Sequence, residues 1–149
     1  MRIKTNIGQV TGAIAERLKV LINKEYLLRP VAFGLIDKMT QRIHIDGKGS
    51  DGGAIGNYSN AYLKARQSKP YNRTGDTKII VSLTRQLEND WSVIATDKGY
   101  GIGFKNPFNF QKARWVEEGK GKRIFDLTQD EQVYATEYLN ELISDALNT

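Results

Sequence analysis

The chain has 149 residues, no cysteine, a single histidine and a formal net charge of +5. That length fits one domain with a fair core. The missing cysteines remove disulfides, thiol chemistry and thiolate metal sites, and the lone His44 excludes a multi-histidine metal site. No apolar run approaches the roughly 20 residues of a membrane span, and MRIKTNIGQV has neither the apolar core nor the small-residue cleavage site of a secretory signal, so no membrane partner and no secretion are expected.

In chain order, Val10, Ile14, Leu18, Leu21 and Ile22 recur at helical spacing, with Glu16, Arg17 and Lys19 turned away, which predicts an amphipathic helix over 7–23. Arg29-Pro30 predicts a second helix start, because proline suits a first helical turn and its predecessor resists the α conformation. Ala32, Leu35, Ile36, Met39 and Ile43 give that helix its apolar stripe. DGKGSDGGAIG, Asp46 to Gly56, carries five glycines in eleven residues and must be loop. Asn57 or Ser59 can cap a short helix with Tyr58, Ala61, Tyr62 and Ala65 on one face. The stretch KARQSKPYNR, residues 64–73, is basic and polar. The excursion 46–76 is long for a compact domain, and glycine-dense backbone seldom orders itself, so neighbouring subunits are expected to hold it.

Alternation by twos begins at Thr77. Ile79, Val81, Leu83 and Leu87 predict a first strand, and Glu88-Asn89-Asp90 a turn. Trp91, Val93 and Ala95 predict a second strand, Asp97-Lys98-Gly99 a second turn, and Tyr100, Ile102 and Phe104 a third strand. Gly101 and Gly103 on one face of this last strand suggest that another element comes close there. Gln111 to Glu118 predicts a short helix stopped at Gly119. Thr128-Gln129-Asp130-Glu131 is a capping box, and Ala135, Tyr138, Leu139, Leu142, Ile143 and Ala146 stripe the helix that follows. Helices, a small antiparallel sheet with a long loop excursion, and a C-terminal helix make a single α+β domain over 1–149.

Chemical readings of this pattern fail one by one. A phosphate loop needs G-x-x-x-x-G-K-[S/T], but Gly47 and Gly52 are followed by Gly53 and Ala54. Gly99, Gly101 and Gly103 sit in a strand with no helix opening on them. An EF-hand at Asp46 would need acids where Lys48 and Ser50 stand. Glu117 and Glu118 are adjacent on a helix, about 100° apart, and cannot flank one substrate. His44 lies between Ile43 and Ile45 without any G-x-S-x-G elbow to serve. No catalytic, cofactor or metal site is expected. Lys64, Arg66, Lys69 and Arg73, interleaved with Tyr62 and Tyr71, could face nucleic acid or an acidic protein surface.

KARWVEEG, residues 112–119, followed by RIFDLT, residues 123–128, and a C-terminal helix, resembles the closing motif of tail-completion and virion-morphogenesis proteins of tailed bacteriophages, the head–tail joining or neck group. Upstream, IGNYSNAY (55–62) and RTGD (73–76) are similar to the same family in the same order. The likeness covers roughly residues 30–147 and departs at Lys78–Leu87, which reads as strand where relatives often continue a short helix. It implies an α+β structural subunit of the virion, not an enzyme and without cofactor. Such a subunit forms a cyclic homo-oligomer, with six or twelve copies expected, between portal and tail. Its partners would be its own copies and portal, connector or tail proteins, with at most weak, non-specific contact with DNA in the lumen. Contacts would use the loop 46–76 and the segment 105–125, with Lys64, Arg66, Lys69, Arg73, Arg114, Trp115 and Glu118 as candidate interface residues. The alternative is a small basic nucleic-acid-binding module built on 64–73.

Overall fold

The structure, a computed structural model, describes residues 24–68, 77–81, 86–97 and 99–148. The helix expected over 7–23, together with Lys69 and Arg73, lies outside these residues.

Helix α1 runs from Lys24 to Thr40 and passes directly into a π-helical turn, Gln41–Ile45. Of its expected stripe, Ala32, Leu35, Met39 and Ile43 are buried and Ile36 is partly buried, and Leu27 and Val31 extend the buried row toward the N-terminus. The expected start at Pro30 is overturned, because Pro30 lies inside the helix. An internal proline costs about 3 kcal/mol, but the buried row continues across it, and each such side chain contributes about 1.5–3 kcal/mol. The π turn closes with the Asp46 N–H on Gln41 O at 2.8 Å. It sends three consecutive side chains, Arg42, Ile43 and His44, into the interior.

Helix α2, Asn60–Gln67, is capped by Ser59, whose Oγ accepts from the Tyr62 N–H at 3.2 Å. A short helix α3, Gln86–Asp90, leads into β1, Trp91–Thr96, and β2, Gly99–Phe104. The two strands pair antiparallel from Trp91↔Phe104 to Thr96↔Gly99. Helix α4 spans Pro107–Lys120 and α5 spans Gln129–Asn148. This is a mixed α+β fold, as the sequence predicts.

The sheet differs from the expected meander. Among the described residues it has two strands; Lys78 makes only an isolated bridge to Asn57, and 86–90 is helix rather than strand and turn. Ile79 and Ile80 are both buried, and two successive buried side chains do not belong to a strand with one wet face. The short helix also brings Asp90 beneath the start of α4. Its Oδ2 accepts from the Asn106 N–H at 2.9 Å and from Asn109 Nδ2 at 3.1 Å. The Asn106 bond chiefly holds the Asp90 carboxyl below the ordinary carboxylate range.

Helix α5 packs on α1, α1 packs on both strands, and α4 packs on β2 and α3. A Cβ at Gly34 would collide with the Tyr134 hydroxyl, so glycine there permits the close α1–α5 approach. The core unites Met39, Ile43, Ile55, Ile79, Trp91 and Ile124. Trp91, Phe104 and Phe125 close it as a ring cluster with centroids 4.9–5.6 Å apart. The close approach expected at Gly101 and Gly103 falls instead at Gly99, where Leu28 Cδ1 stands 3.0 Å from a would-be Cβ.

Candidate functional site

The stretch ARWVEEGKGKRIFDLTQDE, residues 113–131, ends α4, turns, and starts α5. The helix ends two residues later than expected. Gly119 is still helical, and Gly121 takes the left-handed cap conformation at φ 60, ψ 33. The Gly121 and Lys122 N–H groups return to Glu118 O and Glu117 O, both at 3.2 Å. Glu117 Oε2 then accepts the Ile124 N–H at 2.7 Å, while Glu118 is exposed. Glu117 therefore holds the connector backbone while Glu118 faces solvent, and the fold does not bring the two carboxylates to one site.

The capping box closes in both directions. Thr128 Oγ1 accepts the Glu131 N–H at 3.0 Å, and Glu131 Oε2 accepts the Thr128 N–H at 2.9 Å. Glu131 does a second job that local sequence does not announce: its Oε1 accepts from Arg42 Nε at 2.6 Å. The rest of the guanidinium is equally engaged. Arg42 Nη1 donates to Lys48 O at 3.1 Å and Ile124 O at 2.8 Å. Nη2 donates to Asp126 O at 2.9 Å and Glu131 Oε2 at 3.3 Å. A guanidinium has five N–H donors, and here each has an acceptor. One side chain thus ties the π turn, the glycine loop, the 121–128 connector and the α5 N-terminus.

The glycine-rich loop is held from inside the subunit, contrary to the expectation that neighbours hold it. Lys48, Gly49, Ser50, Gly52 and Ile55 donate their backbone N–H groups to Arg42, Gly53, Arg123, Gly49 and Gly47 carbonyls at 2.9–3.0 Å. Ser50 Oγ donates to Asp126 O at 2.9 Å. Lys122, from the Gly-Lys-Gly-Lys-Arg run, reaches Ala54 O at 2.7 Å and Asp51 Oδ1 at 3.0 Å. The Gly53 N–H and Lys122 hold the Asp51 carboxyl below its usual range. A cleft of about 490 Å³ opens beside this knot, with Asp37, Lys38, Asp46, Lys48 and Asp130 on its walls.

The candidate interface residues are scattered by the fold rather than gathered. Arg66 is only 2% exposed, its guanidinium lying 4.5 Å over the Tyr58 ring with Nη1 3.4 Å from the Tyr58 hydroxyl. It is a packing residue within the subunit, which corrects its place in a basic contact face. Desolvation pushes the Tyr58 phenol up. Lys64 is exposed on α2. Arg114, Trp115 and Glu118 are exposed on α4, Trp115 at 60%. The sequence reading missed two companions, Phe108 at 79% and Phe110 at 53%. The available signal was Asn106-Pro107, a cap followed by a first-turn proline; Asn106 Oδ1 accepts the Phe108 N–H at 2.9 Å. Had α4 been started there, Phe108 and Trp115 would have stood two turns apart on a polar face. A second cleft, about 570 Å³, runs along this helix past Phe108, Lys112, Asn109 and Gln86.

His44 is buried and lines neither cleft. Among the described residues no three His, Asp or Glu side chains cluster as metal ligands, and no helix is long and apolar enough to cross a membrane. No protein-family model, curated protein or solved structure matches the chain.

Proposed function

We propose that the protein is a structural subunit of a tailed-phage virion, a head–tail joining or tail-completion protein that assembles as a cyclic homo-oligomer between portal and tail. One observation carries the reading: helix α4, whose second half holds the KARWVEEG stretch, presents three large aromatics to solvent, Trp115 within that stretch and Phe108 and Phe110 before it. Exposed aromatics on a helix that is tied to the subunit at both ends, by Asp90 and by Glu117, favour a contact surface. Asp90, Asn106 and Glu117, at the two ends of this helix, are spent on accepting backbone N–H groups, which supports assembly over chemistry. Partners would be neighbouring copies and the portal, connector or tail proteins above and below. The alternative basic nucleic-acid module is weakened because Arg66 is turned inward.

The test is the composition of purified particles. Quantitative mass spectrometry should find the protein in the virion at several copies per portal. Its absence from particles, with tight DNA binding at physiological salt, would replace this reading with the nucleic-acid module.

A further inference from the structure

Helices α4 and α5 differ in charge as well as position. Helix α5 carries five acidic residues and no basic one. Glu131 is committed to Arg42, but Asp130, Glu137 and Glu141 are exposed. Val133, Glu137, Asn140 and Leu147 recur at helical spacing on its outward side, with Val133 44% and Leu147 45% exposed. Helix α4 leans the other way: Phe108, Lys112 and Trp115 share one face at i, i+4, i+7, with Lys112 Nζ donating to Gln86 Oε1 at 2.6 Å. With Glu117 taken by the Ile124 N–H, the cations Lys112, Arg114 and Lys120 outnumber the exposed Glu118. A Cβ at Gly119, one turn beyond Trp115, would meet nothing within 4 Å, so the C-terminal end of this face is open.

We propose that the outward face of α4 docks on the outward face of α5 of a second copy of this chain, aromatic against aliphatic and Lys112 and Arg114 against Glu137 and Glu141. The occupant is argued from charge: one chain carries both the cationic aromatic face and the acidic aliphatic one. The two faces belong to different layers, since α5 packs on α1 whereas α4 packs on β2 and α3. Contact between two unlike faces is head-to-tail, and it closes into a ring if the rotation permits. The inference rests on the ring-subunit reading and specifies its interface. Buried aromatics at such a contact carry most of the affinity, while the charges set which face is accepted.

Two charge-reversed variants test it: Lys112→Glu with Arg114→Glu, and Glu137→Lys with Glu141→Lys. Sedimentation velocity at millimolar concentration and low salt is the readout, with thermal midpoints confirming that both variants are folded. The wild type should self-associate. Each variant alone should do so on the order of a hundredfold more weakly. An equimolar mixture should regain assembly, because each variant's altered face then meets a matching face on the other. Trp115→Ala should weaken association on the order of thirtyfold with no charge change. Wild-type protein that stays monomeric would overturn the proposal. So would reversed variants that assemble like wild type, as expected if α4 meets another protein or residues 1–23. Particle composition is read separately: a protein abundant in virions whose variants assemble normally leaves the neck reading standing and removes this interface.

Discussion

The interior around Arg42 and the outer face of α4 use the same kinds of side chain to opposite ends. Around Arg42, every guanidinium donor has an oxygen acceptor, and Glu131 serves a cap and an ion pair together. On α4, Phe108 and Trp115 stand in water, and Arg114 is exposed beside them. The first region spends its polarity on connecting four backbone segments that share no secondary structure. The second leaves apolar area uncovered, although nearby aromatics such as Trp91 and Phe125 pack tightly together. Where the chain needs internal order it is satisfied, so what it leaves open is available for contact outside itself.

Removing Arg42 should have the largest effect on the fold. Arg42→Met takes the cation from a buried carboxylate and a donor from the Lys48, Ile124 and Asp126 carbonyls, of which Asp126 O keeps Ser50 Oγ, and should destabilise by roughly 3–5 kcal/mol in urea titrations. Adding Glu131→Met should recover part of that loss; a double variant worse than the sum would show that the two side chains do not act as a pair. Ile124→Ala opens a cavity at a fully buried core position and should cost about 2–5 kcal/mol. Thr128→Ala removes one arm of the capping box and should cost about 1 kcal/mol by thermal unfolding. The two glycines of the α4 terminus should split in sign. Gly121→Ala forces a side chain into a left-handed conformation and should destabilise by about 1 kcal/mol, whereas Gly119→Ala, helical and open, should stabilise by about 0.5 kcal/mol. Smallest on stability, and largest on association, is Trp115→Ala: its thermal midpoint should match the wild type while self-association falls. A drop of several degrees in the monomer would place Trp115 with the interior instead of the contact face.

Features written in a few neighbouring residues were legible. Ser59 caps α2, Thr128 and Glu131 form the box, and Trp91 to Phe104 form a hairpin in the expected places. Helix boundaries that depend on competing signals were not. Pro30 reads as a start, but the buried row runs through it; Gly119 reads as a stop, but Gly121 provides the left-handed cap. The pattern at 79–81 mimics a strand because Ile79 and Val81 pack inward from irregular backbone. Least legible was the knot at Arg42. Its partner is 89 residues away, and nothing local distinguishes a buried arginine from a solvated one. The same blindness hid Arg66, whose place over Tyr58 depends on how α2 lies against the loop before it.

Cryo-electron microscopy of intact particles tests the central claim most directly, by showing how many copies surround the neck axis and which surfaces touch. The account predicts a cyclic ring in which Trp115 of each copy lies against α5 of the next, with the Arg42–Glu131 knot inside every subunit. A single copy per virion, or a two-fold dimer with no ring, would contradict it.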